Sequence, residues 1–152
     1  NHFLESFRGT LFRQTMFAEF EDMAHRKGAA GESLTAQNLC QMYRQLNVDY
    51  FGPEMNVDAQ IDYEWERIPH FYTPFYVYQY ATGFSAAVAI SSRIMKGEEG
   101  ALEGYKKFLS GGCSMTPIEL LRLCGVDMST TRPVDEALSF FGELLDEFEG
   151  QR

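Results

Sequence analysis

Between Arg67 and Gly83 the sequence reads RIPHFYTPFYVYQYATG, which sets one imidazole, His70, beside four phenols, Tyr72, Tyr76, Tyr78 and Tyr80. Neutral imidazole and phenol groups donate hydrogen bonds without adding fixed charge. That suits them to meet an oxygen on which negative charge develops during a reaction. His70 and Tyr72 fall in a break between two predicted helices, and Tyr76, Tyr78 and Tyr80 fall on the first turns of the next. A loop held between rigid elements is a place where side chains converge on a ligand. At helical spacing Tyr76 and Tyr80 share a face and Tyr78 points elsewhere, so the four phenols cannot all serve one site. The same residues have a plainer reading, as part-buried tyrosines with satisfied hydroxyls and a histidine that caps or packs. From residue types alone the plainer reading has the better support.

Other chemistry is sparse. The histidines are His2, His25 and His70, with no HExxH, no cysteine pair and no Cys-His cluster, so a complete metal site within these residues is not expected. Glu21 and His25, four apart on one helix, read as a solvated ion pair rather than half of a metal site. There is no glycine-rich phosphate loop and no nucleophile elbow. Lys and Arg number 13 against 22 Asp and Glu, a formal net charge of −9, and no basic stripe stands out, so a polyanion such as nucleic acid is an unsuitable partner. Cys40, Cys113 and Cys124, odd in number and unpatterned, read as reduced thiols of a cytosolic protein.

The elements that must carry these residues are helices. Leu4, Phe7 and Leu11 form one apolar stripe and Phe12, Met16, Phe20 and Met23 an adjacent one, predicting a long, largely buried helix that stops near Lys27-Gly28. Arg13 and Glu19 interrupt it, and each needs a partner or an exposed edge. Thr35 is a predicted N-cap for a second helix that runs to Gly52-Pro53. A short helix from Asp58 should end at Pro69. Thr73-Pro74 reads as an N-cap followed by proline at the first helical position, opening a small-residue-rich helix that continues to about Lys96. Leu102 to Leu109 mark a fifth helix, Thr116-Pro117 opens a sixth, and Val134 to Phe148 form an amphipathic last one. No segment alternates with period two. The expectation is an all-α bundle of about six to seven helices, residues 1–152 forming a single domain. No apolar run reaches membrane-spanning length. The chain opens on Asn1 rather than Met, directly into a helical pattern, which suggests a piece of something longer.

Three segments, ESFRGTLFRQTMFAEFE, IPHFYTPFYVYQYATGFSAA and YKKFLSGGCSMTPIELLRLCGVDM, resemble in order the C-terminal part of the oligoendopeptidase F family, cytosolic zinc peptidases of the thimet-oligopeptidase-like group. The resemblance implies the C-terminal part of a larger helical metallopeptidase fold that hydrolyses short, unstructured peptides in a deep channel. It also implies a zinc ion held by an HExxH helix and a downstream glutamate, where the metal polarises the peptide carbonyl and activates water. Those segments lie upstream of the matched part in the family, so no metal ligand and no general base is assigned here, and none of the zinc is expected to bind this fragment. By motif position His70 matches a channel histidine and Tyr78 the principal tyrosine that stabilises the tetrahedral intermediate. Tyr72 and Tyr76 match as further substrate contacts, with Phe71 and Phe75 gripping apolar side chains of an extended peptide. A helix parted from missing partners exposes apolar surface, which leaves room for a non-native dimer of the fragment. The competing expectations are a non-catalytic helical module that presents its aromatic face to a peptide or partner helix, and a purely structural helical cap.

Overall fold

Helix follows helix from His2 to Gly150. The computed structural model describes residues 2–150, and the expected domain span reaches past them at Asn1, Gln151 and Arg152, which lie outside the described residues. The elements are α1 (His2–Ser6), a π-helical turn (Phe7–Phe12), α2 (Arg13–Ala29), α3 (Ala36–Phe51), two 3₁₀ helices (Ala59–Arg67 and Pro69–Tyr72), α4 (Tyr78–Met95), α5 (Ala101–Gly111), α6 (Pro117–Leu123) and α7 (Arg132–Gly150). No strand occurs among the described residues, so the fold is all-α. Among those residues no helix is long and apolar enough to cross a membrane.

The π turn explains the two neighbouring stripes in the first helix. Phe7, Leu11, Met16 and Phe20 are all buried, and the step from Leu11 to Met16 is one residue longer than an α-helix face allows. The wider π turn at Phe7–Phe12 takes up the extra residue, so both stripes can be buried in turn.

The chain divides into two compact units, one of residues 8–81 and one that joins the N-terminal residues through Phe7 to Thr82 and beyond. In the first, Met16, Phe17 and Phe20 of α2 pack with Met42, Tyr43 and Leu46 of α3 and with Ile68 and Val77. Thr35 caps α3 by accepting from the Asn38 N–H, as expected from the sequence, and Gly52 (φ 78°) ends it. The segment after Asp58 is a 3₁₀ helix rather than an α-helix, with the Asp58 carboxylate accepting from the Gln60 N–H and the first run closed before Pro69. Arg13 and Glu19 both find partners: Arg13 pairs with Glu64 at 2.5 Å and lies 4.9 Å over the Phe17 ring, and Glu19 accepts from the Tyr50 hydroxyl at 2.7 Å.

In the second unit, Phe7 packs edge-on to Phe84 at 4.8 Å and beside Phe141 at 5.1 Å. Ala86, Ala89 and Ile90 of α4 form a core with Cys124 and Val126. Thr116 and Glu119 make a reciprocal capping box at the start of α6, with Pro117 in the first turn. Helices α5 and α6 approach so closely at Gly104 that a Cβ there would run into the Leu123 carbonyl oxygen and crowd the Cys124 backbone. The Cys124 thiol, buried at this contact, donates to the Gly104 carbonyl at 3.8 Å. Because the obstacle is backbone, Gly104→Ala should destabilise the protein by about 1–3 kcal/mol, the usual range for overpacking, read as a lower urea midpoint.

Candidate functional site

Two buried apolar residues, Ile68 and Val77, bracket the segment that carries His70 and the tyrosines. Burying Val77 and, one helical turn on, Ala81 leaves Tyr76, Tyr78 and Tyr80 on the outward side of the chain. The helix expected to open at Thr73-Pro74 starts at Tyr78 instead. Pro69 begins a short 3₁₀ turn through Tyr72, and Thr73 to Tyr76 then form a tight turn, with the Tyr76 N–H donating to the Thr73 carbonyl at 3.2 Å. Pro74 sits at its second position and Phe75, at φ 57°, at its third, a place that normally takes glycine. A left-handed residue at Phe75 cannot continue a helix from Pro74, which is why the cap-plus-proline signal misplaced the helix start.

The turn is tied to α2. The Glu21 carboxylate accepts from the Phe75 N–H at 2.8 Å, and the His25 ring packs against Phe75 at 4.7 Å, tilted by 36°. Glu21 is only 6% exposed, so the solvated ion pair expected with His25 is corrected here: the carboxylate is withdrawn from water and bonded to backbone. The sequence signal for this was Glu21 lying in the apolar sector of the helix beside Phe17 and Phe20.

His70, Tyr80 and Tyr76 come together. His70 Nε2 lies 3.2 Å from the Tyr80 hydroxyl, which lies 3.3 Å from the Tyr76 hydroxyl. The imidazole is parallel to the Tyr76 ring at 5.9 Å and edge-on to Tyr80 at 5.2 Å. The shared face of Tyr76 and Tyr80 is therefore real, although Tyr76 precedes the helix. The hydrogen bond with Tyr76, with a smaller contribution from burial, raises the Tyr80 phenol above its ordinary range. His70 Nδ1 is buried with no hydrogen-bond partner among the described residues. Tyr78 is 50% exposed and Tyr72 80% exposed. Phe71 packs edge-on to Phe17 and against Phe20, and with Tyr72 it lines a cleft of about 250 Å³ that also includes Trp65, Leu39 and Ala24. Tyr80 was not singled out from sequence as a catalytic candidate; its bond to His70 depends on the tight turn, which shortens the path between the two.

No group of three His, Cys, Asp or Glu residues is placed to hold a metal ion among the described residues. The Glu21 carboxylate at the turn is engaged by backbone. These residues therefore do not fit a zinc centre.

Residues 1–140 match the family model described as Peptidase family M3. Oligopeptidase PepF of Bacillus subtilis is 53% identical over 149 residues, covering 98% of this chain and 22% of the Bacillus protein. The plasmid-borne oligoendopeptidase F of Lactococcus lactis subsp. cremoris is 44% identical, covering 98% of this chain and 25% of its own. The crystal structure of oligoendopeptidase-F from Enterococcus faecium superposes with a TM-score of 0.96 at 45% identity, over 99% of this chain and 29% of that one. This chain belongs to peptidase family M3. It spans 22% and 25% of the length of those two curated relatives.

Proposed function

We propose that this chain supplies the substrate-facing donor wall of a zinc-dependent oligoendopeptidase acting on short peptides, and that the metal is held by residues outside it. The observation that carries this reading is the hydrogen-bonded row His70, Tyr80, Tyr76, three neutral groups at a strained turn with their rings part-exposed. A buried, unpartnered Nδ1 is better tolerated as a lone pair than as an N–H, which puts the ring proton on Nε2. His70 then donates to Tyr80, Tyr80 to Tyr76, and the Tyr76 hydroxyl proton points onward as the free donor of the row. Tyr78 is the proposed principal donor to the oxygen on which charge develops as the peptide bond is attacked, and His70 contributes through the row whose free donor is the Tyr76 hydroxyl. Tyr72 and Tyr76 contact the peptide, and Phe71 and Phe75 hold its apolar side chains. The same reading treats residues 1–152 as one helical domain within a longer catalytic chain.

The test compares this chain with the complete protein. The 152-residue chain should carry far less than one equivalent of zinc by atomic emission and leave a quenched peptide intact, whereas the complete protein should carry zinc and cleave it. Stoichiometric zinc and turnover in the short chain would overturn the assignment of the metal to residues outside it.

A further inference from the structure

Phe75 adopts a backbone conformation that a bulky L-residue avoids, and something must hold it there. Three observations converge on α2 as the holder. Glu21 is buried, its carboxylate accepts from the Phe75 N–H at 2.8 Å, and His25, one helical turn further, sets its ring against that of Phe75 at 4.7 Å, tilted by 36°. The turn in question lies between His70 and Tyr80, and closing it brings those two within 3.2 Å of each other. If Phe75 relaxed to negative φ, the chain from Thr73 to Tyr76 would open and the phenols of α4 would swing away from the imidazole.

We infer that Glu21 is a positioning residue for the donor row: its carboxylate holds the left-handed Phe75 turn that keeps His70 and Tyr80 in register. This rests on the reading of that row as the substrate-facing wall. Glu21 acts through one backbone N–H, 54 residues away in sequence. A buried carboxylate is costly unless its oxygens are used, so a residue of this type in an apolar helix face is spent on something that apolar neighbours could not do.

The inference separates from a merely structural role through a rescue. Glycine at position 75 adopts positive φ without strain and so needs no clamp. In the complete, zinc-loaded protein, Glu21→Ala should lower kcat by about tenfold to 100-fold, the scale of a small misplacement of catalytic groups, with KM and zinc content little changed. Glu21→Gln should fall between wild type and alanine, because its amide oxygen still accepts from the Phe75 N–H. In a Phe75→Gly background the further loss from Glu21→Ala should shrink to within about threefold, the non-additivity expected of two residues that share one interaction. The second readout is amide hydrogen exchange at Phe75, which Glu21→Ala should speed by about tenfold or more.

Equal loss from Glu21→Ala in both backgrounds overturns the inference, as does fast exchange with wild-type kcat. If exchange stays slow in Glu21→Ala while His70→Ala is dead, the clamp has failed and the functional reading stands. If His70→Ala is fully active while Glu21→Ala still speeds exchange, the functional reading has failed and the clamp stands.

Discussion

Replacing His70 by alanine in the complete peptidase should lower kcat on a quenched peptide by about 100- to 1,000-fold, with zinc content held at the wild-type level. In the proposed role His70 fixes the row that ends on the Tyr76 hydroxyl, and the size follows from what losing such a pre-placed donor does. Charge on the carbonyl oxygen grows only as the peptide bond is attacked, so a donor fixed in advance lowers the barrier without tightening the ground state. Loss should therefore appear in kcat more than in KM. Tyr78→Phe removes the proposed principal donor and keeps the ring, and it should fall in the same range. Tyr80→Phe removes the hydroxyl that bridges His70 and Tyr76, so it should fall short of His70→Ala while moving in the same direction. Wild-type turnover in both His70→Ala and Tyr78→Phe would reduce the whole segment to packing.

The largest stability effect is expected at Glu64→Ala. Glu64 is 5% exposed, and its two oxygens divide their partners: one receives Arg13 and Arg67 at 2.5 Å each, the other the Tyr43 hydroxyl at 2.7 Å. Tyr43 is fully buried, and burial together with the neighbouring Glu64 raises its phenol far above the ordinary range. Removing the carboxylate leaves that hydroxyl without an acceptor and strips the half-buried Arg13 of its counter-charge, a combination that typically costs about 3–5 kcal/mol. Tyr43→Phe removes one bond and leaves the two guanidinium contacts intact, so about 1 kcal/mol is expected. Urea midpoints of the two variants check this, and a Glu64→Ala midpoint equal to that of Tyr43→Phe would mean that the ion pairs contribute nothing.

Those two networks mark the boundary of what could be read from the sequence. Apolar periodicity and caps located α2, α3, α5, α6 and α7 to within a few residues, because Thr35, Thr116 and the glycines act locally on the next turn of backbone. Long-range partners have no such local mark. Glu64 carries no such mark and Glu21 reads as half of a surface ion pair, because Tyr43 and Arg13, which meet the one, and Phe75, which meets the other, lie more than twenty positions away. The misplaced start of α4 has the same origin. Thr73-Pro74 satisfies a capping rule, but the carboxylate that holds Phe75 left-handed comes from α2 and decides otherwise. Within the candidate site, composition pointed to His70 and its tyrosines, and spacing paired Tyr76 with Tyr80. Only the turn reveals that Tyr80 is the one that meets the imidazole.

The close contact of α5 with α6 has a practical consequence. Cys113 is exposed, whereas Cys124 lies beneath Gly104 with its thiol titration pushed upward by burial. A thiol reagent at neutral pH will therefore modify Cys113 first, part-exposed Cys40 next, and Cys124 only in molecules where the two helices have parted. The slowest phase of labelling is a built-in clock for that local opening, read from the protein's own thiols.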